Sequence, residues 1–336
     1  MDLAHKETDR DIVKIAMAIS ALYARLQPGV LHAFQPWLVG VEDTARALRD
    51  RMLSATDPES YRRAEADYKR FWTIKVAHSR DFARAARLAS EEIAEISQQA
   101  AGIVNKSTPA VYAQHYNATG KDIANDVDDY PFFEISGDEA AQWGGVTKQS
   151  VSVKRFIKWN LRNFTAALVA VSLLRTDQPP KKIIDEVVTR VVAKNRTLSE
   201  RQAGDMCTDA ETKGQLDSMF RASDSGIGIW KQWIATLDNR TRPAHAKRDG
   251  EIIDLMAEFA KGLSRPRDPN GPPEEIENCR CRLVYVTRHS LEGAHERSMR
   301  AGTVRGSVQN PRSFAGTRSV AVPYMTYREW MQWRRR

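Results

Sequence analysis

Through roughly the first two hundred positions apolar residues return every three to five places, and near Gly226 that rhythm gives way to a run of β-branched and aromatic residues. The first spacing is that of a helix with one buried face; the second suits a strand. From Asp11 to Val104 the chain is rich in Ala, Glu, Arg, Leu and Ile, with prolines only at 28, 36 and 58, which predicts helices broken near those prolines. Asp57 is a fitting N-cap, Pro58 and Glu59 suit a first turn, and good helix formers continue to about Ile103, with Gly102 near the end. Ala64, Tyr68, Phe71, Ile74, Ala77 and Phe82 would form the buried face of that helix.

Between Asn105 and Ser150 the periodicity weakens into Ser, Thr, Asn, Asp and Gly, which reads as a connector. Helical spacing returns from Val151 to Leu174, carried by Val153, Ile157, Leu161, Phe164 and Leu168, and stops before Pro179-Pro180. Lys181–Lys194 and Leu198–Ala222 read as two more helices, and no internal repeat period is present. Residues 226–238 then read as a strand, Asn239 or Thr241 as the cap of a short helical turn carrying His245, and 251–259 as a second strand or short helix. Residues 264–273 are a loop by composition, and Arg282–Thr287 is a strand leaving a pair of cysteines. Beyond Arg288 the chain is Gly, Ser and Arg with few apolar residues, until a short amphipathic segment at 324–333.

Charge sharpens this division. The chain of 336 residues has a net charge of +8, yet residues 282–336 hold eleven Arg, no Lys and three Glu, so everything before them is balanced. A case for nucleic-acid binding therefore concerns the C-terminal stretch alone. With 42% hydrophobic and 28% charged residues the composition is that of an ordinary soluble protein, long enough for about two domains. The start lacks a basic-then-apolar leader, so an uncleaved intracellular product is expected, and the longest apolar run, Phe164–Leu174, is well short of the ~20 residues of a membrane span. Three cysteines do not make a disulfide framework; Cys279 and Cys281, one residue apart, suit a shared metal ion, or nothing, better than a disulfide.

One constellation stands out. Trp230 and Trp233 are followed by Asp238-Asn239-Arg240-Thr241-Arg242-Pro243-Ala244-His245, Asp249-Gly250, Phe259, Pro266-Arg267-Asp268-Pro269, Glu274-Glu275 and Asn278-Cys279-Arg280-Cys281. In that order these elements resemble the C-terminal domain of phage head morphogenesis proteins, the minor head proteins related to the F protein of phage Mu. The resemblance covers roughly Leu198 to Val286, with Tyr327-Arg328-Glu329-Trp330 as the family's terminal aromatic segment. It implies a minor capsid component, present in few copies at the portal vertex or capsid interior of the virion and in the host cytoplasm during assembly. Its partners would be the portal protein and other capsid or scaffold proteins, and it would act in head assembly or in handling the packaged genome, with no catalytic activity. Longer relatives carry toxin modules on the same domain; here the residues beyond it are too few for one.

The residues also support readings of their own. In a strand Cys279 and Cys281 face one side, so two thiolates and a His245 nitrogen could hold zinc, completed by Asp238, Asp249 or water. The plainer reading, small buried cysteines and a hydrogen-bonded core histidine, is preferred, because the intervals match no standard zinc finger; Cys207 reads as packing. Arg240 or Arg242 could pin the turn to Asp238 or Asp249, or grip a phosphate; the structural role is preferred because acids are at hand. A metal-dependent hydrolase or nuclease built on His245, Asp238 and Asp249 is a third reading, weakened by the lack of H-E-x-x-H, a nucleophile elbow or a phosphate-cradling loop. Trp230 and Trp233 suit a core or interface better than base stacking. Arg328, Trp330, Trp333 and Arg334-Arg335-Arg336 could meet the portal or double-stranded DNA, or be a solvated end. The expected fold is α+β: a helical region at 1–197 for portal or assembly contacts, a head morphogenesis domain at 198–290 with Asn278 and Gly250 among its motif residues, and an Arg-rich tail at 291–336.

Overall fold

The structure is a computed structural model that describes residues 2–142, 151–172, 178–288, 296–301, 318–323 and 325–333. It is α+β and dominated by helices: α1 (Asp2–Leu53), α2 (Pro58–Trp72), α3 (Arg80–Asp126), α4 (Gly137–Gln142), α5 (Val151–Ser172) and α6 (Pro180–Asp224) precede all the strands. Next come β1 (Ile229–Ile234), α7 (Pro243–Arg248), β2 (Ile252–Asp254), α8 (Pro273–Ile276), β3 (Arg282–Thr287), β4 (Glu296–Ala301), β5 (Arg318–Pro323) and α9 (Tyr327–Trp333). The chain divides into two compact units, one of residues 18–102 and 151–199, the other of 1–17, 103–150 and 200–336. The helical unit keeps Ile19, Tyr23, Leu26, Val30, Phe34, Trp37 and Val41 buried at three- and four-residue steps along α1.

That stripe passes through Pro28 and Pro36 without losing phase, so the expected breaks at these prolines do not occur. A mid-helix proline costs about 3 kcal/mol, and a continuous buried face outweighs it. Asp57 does cap α2, its carboxylate accepting the Glu59 and Ser60 N–H groups at 2.9 Å each. The helix does not run on to Ile103: a π-helical stretch at Thr73–Ala77 leads to His78, and Ser79 restarts the chain by accepting the Phe82 N–H at 3.2 Å. The connector expected from Asn105 is instead the second half of α3, which passes Pro109 and ends at Asp126; the rest of it includes α4 at 137–142, while 143–150 lie outside the described residues. The two helices expected on either side of Asn195 are one, α6. Asn195 does not interrupt it because its side chain is buried and satisfied, donating to the Asn160 carbonyl at 3.2 Å and accepting from Asn163 at 3.0 Å.

In the second unit β1 is the central strand of an antiparallel sheet ordered β2-β1-β3, with Trp230 opposite Val286 and Asp254, and Trp233 opposite Leu283. The core beneath joins Ile123 of α3 and Leu216 and Met219 of α6 to Trp233, Phe259, Leu283, Cys279 and Cys281. Gly214 lets α6 approach α3, since a Cβ there would run into the Tyr112 carbonyl oxygen. A second hairpin, β4 paired with β5 from Glu296↔Pro323 to Ala301↔Arg318, occupies part of the stretch read as an irregular tail. The alternation in Ser319-Val320-Ala321-Val322 was its signal. The amphipathic segment at the end is α9, as expected. Among the described residues no helix is long and apolar enough to cross a membrane.

Candidate metal centre and motif loop

The motif residues meet where β1 hands over to α7. Past Ile234 the chain turns through Asp238, whose carboxylate accepts the Arg240 N–H at 2.9 Å, an Asx-type turn. Thr241 Oγ1 donates to the Thr236 carbonyl across the same turn, so neither it nor Asn239 caps the helix; α7 starts at Pro243 with Arg242 as an extended N-cap residue. Gly250 follows α7 with φ +84°, a conformation that favours glycine, and its N–H donates to the Trp233 carbonyl at 2.8 Å, closing the loop onto β1.

The acid-arginine pairing differs from the one expected. Asp238 is held by both ends of the Arg280 guanidinium, with Arg280 Nη2 at 2.9 Å from Oδ1, while Arg240 lies 3.8 Å away. Arg242 donates to the carbonyls of Glu275 and Glu277. Burial alone would raise the Asp238 carboxyl, but the Arg280 hydrogen bonds and charge, with the Arg240 N–H, bring it below its usual value. Asp249 accepts the Ala235 N–H at 2.7 Å through one oxygen and the Tyr327 N–H at 2.6 Å through the other. Both acids are therefore committed to holding the loop and neither completes a metal site. Asn278 has φ +54°, and its N–H faces Asp205 Oδ2 at 3.4 Å.

His245, Cys279 and Cys281 do come together, fully buried, with their ligand atoms all within 4.8 Å of one another, and no other His, Cys, Asp or Glu among the described residues joins them. His245 Nδ1 is 3.2 Å from Cys281 Sγ and 3.6 Å from Cys279 Sγ. The cysteines lie just before β3 rather than in it. Bonding from the Cys281 thiol, and then from His245, holds Cys279 well below the usual thiol range, whereas burial pushes Cys281 up. Nε2 of His245 lies 3.1 Å from Glu275 Oε2, within ion-pair reach though off the line of a good hydrogen bond, and Arg248 holds the same oxygen at 2.5 Å. Trp233 stands edge-on to the His245 ring, 5.4 Å between centroids. Cys207 is apart from this group, buried in α6, its thiol pushed up to about 12 by burial.

Glu275 and Arg280 stand in the motif order but were given no role from the sequence, and Arg248 was not singled out; only the need of a half-buried arginine for an acid could have pointed to these pairings. Trp233 is in the core as expected and Trp230 is half-buried. Trp330, read as a portal or DNA contact, is instead buried against Leu237, and Tyr327 Oη donates to the Asp238 carbonyl at 2.9 Å. A large apolar ring next to Leu237 gains more by covering that leucine than by facing solvent. Arg328 and Trp333 are exposed; Arg334, Arg335 and Arg336 lie outside the described residues.

The motif side chains of this small α+β domain are thus spent on tying one loop to the sheet. Residues 178–284 match the family described as Phage Mu protein F like protein. It is similar to the minor head protein GP7 of Bacillus phage SPP1, 26% identical over 123 residues, 36% of this chain and 35% of GP7. It is also similar to the NAD(+)--arginine ADP-ribosyltransferase EFV of Enterococcus faecalis (strain ATCC 700802 / V583), 37% identical over 67 residues, 19% of this chain and 14% of that protein. The matched segments thus span about a third or less of these curated relatives. No solved structure matches the chain.

Proposed function

We propose that the protein is a minor component of a phage or prophage head that acts in head morphogenesis at the portal vertex, without catalysing a reaction. The observation that carries this reading is the match of 178–284 to the Mu F-like family, with GP7, a minor head protein, among the relatives. The geometry agrees with it: Asp238 and Asp249, the acids a hydrolase would use, are tied up by Arg280 and by backbone N–H groups. The helical region at 1–197 would supply the contacts to portal or scaffold, the domain at 198–290 the head morphogenesis module, and 291–336 a basic segment.

The test is co-purification of the tagged chain with its cognate portal protein. Retention at high salt is expected, because an apolar or shape-driven contact survives screening that dissolves a charge-driven one. Failure to bind portal or any other capsid protein would overturn the reading. A second reading, contact with packaged DNA, is favoured by the eleven arginines of residues 282–336. It predicts salt-sensitive binding to double-stranded DNA that falls when Arg328, Arg334, Arg335 and Arg336 are changed to Gln. Those substitutions leave Trp330 docked, which a deletion of the segment would not.

A further inference from the structure

We propose that Cys279, Cys281 and His245 bind a structural zinc ion, with a water molecule in the fourth position. The geometry is that of ligands around an ion. A tetrahedral zinc with Zn–S near 2.3 Å and Zn–N near 2.05 Å keeps a sulfur and a nitrogen ligand about 3.5 Å apart. The two sulfur-to-nitrogen separations here, 3.2 and 3.6 Å, bracket that value. A single ring nitrogen has one proton or one lone pair, and cannot satisfy two thiols at once; Nδ1 nevertheless faces both. An ion between the three atoms uses every one of them.

Chemistry and surroundings point the same way. Two thiolates and an imidazole are the soft and borderline ligands that zinc favours, and two thiolates neutralise its charge, so the buried centre carries no net charge. Zinc-bound histidines commonly present their other ring nitrogen to a carboxylate, and Nε2 faces Glu275, itself held by Arg248. With Asp238 and Asp249 engaged elsewhere, the fourth position falls to solvent. A small pocket lined by Thr236, Arg240, Thr241, Arg242, Asn278 and Arg280 opens beside the three ligands and gives it access. Bound there, the ion would link α7 to the segment entering β3, beside the contacts that Arg242 and Arg248 make with Glu275 and Glu277.

The full chain, purified in reductant without chelator, should carry about one zinc per chain, and Cys279→Ser and Cys281→Ser less than about a tenth of that. Stripped protein given Co²⁺ alone should develop the visible bands of tetrahedral cobalt and a thiolate charge-transfer band, both lost in Cys281→Ser. If the cysteine variants fail to fold, the cobalt spectrum of the unsubstituted chain decides. A folded, cooperatively melting chain with less than about a tenth of an equivalent of zinc, no cobalt bands and no rise in melting temperature on adding Zn²⁺ would overturn the proposal. That outcome leaves portal binding untouched, so the two readings fail separately.

Discussion

Asp238 keeps its charge in a half-dry turn because Arg280 supplies both a counter-charge and two donors. Its carboxyl titrates below its usual value, so the stabilisation is complete above the unfolded carboxyl value of about 3.9 and disappears as pH falls through the lower folded value. We expect the melting temperature to fall between about pH 5 and pH 2, and Asp238→Asn to melt lower at pH 7 but show a shallower acid slope. An unchanged slope in that variant would place the acid sensitivity elsewhere. At this scale the identities of the loop residues could be read from sequence, and so could the meeting of His245 with the cysteines. The partners could not: Asp238 meets a residue 42 positions away, and two nearer arginines looked equally suitable.

At the scale of elements, local chemistry marked starts better than stops. Asp57 announced α2, and the β-branched and aromatic composition of β1 and β3 was plain, since a capping carboxylate and strand propensity act within a few positions. Pro28, Pro36, the polar stretch from Asn105 and the gap at Asn195 misled in the other direction. Their local cost is real, but burial along α1, α3 and α6 is decided by contacts far away in sequence, and it wins. The Gly214 crossing is another such contact, with no signature in sequence beyond a glycine in a helix. Gly214→Ala would raise helix propensity by about 1 kcal/mol in an isolated helix. Here the added methyl meets backbone atoms of Tyr112 and Tyr116 that cannot swing aside, so a net loss of about 1–3 kcal/mol is expected, read from denaturant midpoints at unchanged m. A variant as stable as the parent would mean that α3 and α6 can part without penalty.

For the molecule as a whole, the charge division visible in sequence stands, and the described parts of the basic stretch are tied to the domain at two places. Arg282 is buried in β3, and α9 is fastened to the motif loop through Trp330 on Leu237 and Tyr327 on Asp238 and Asp249. Trp330→Ala should release α9 at a cost of about 3–5 kcal/mol. Amide exchange would then speed up in residues 327–333 and in 236–249 together; acceleration in 327–333 alone would show that the loop holds without it.

Both ends of residues 288–326 are therefore anchored on the same unit, one by β3 and the other by α9. A load applied to α9 therefore reaches Asp238 and Asp249 at once, through the two bonds of Tyr327.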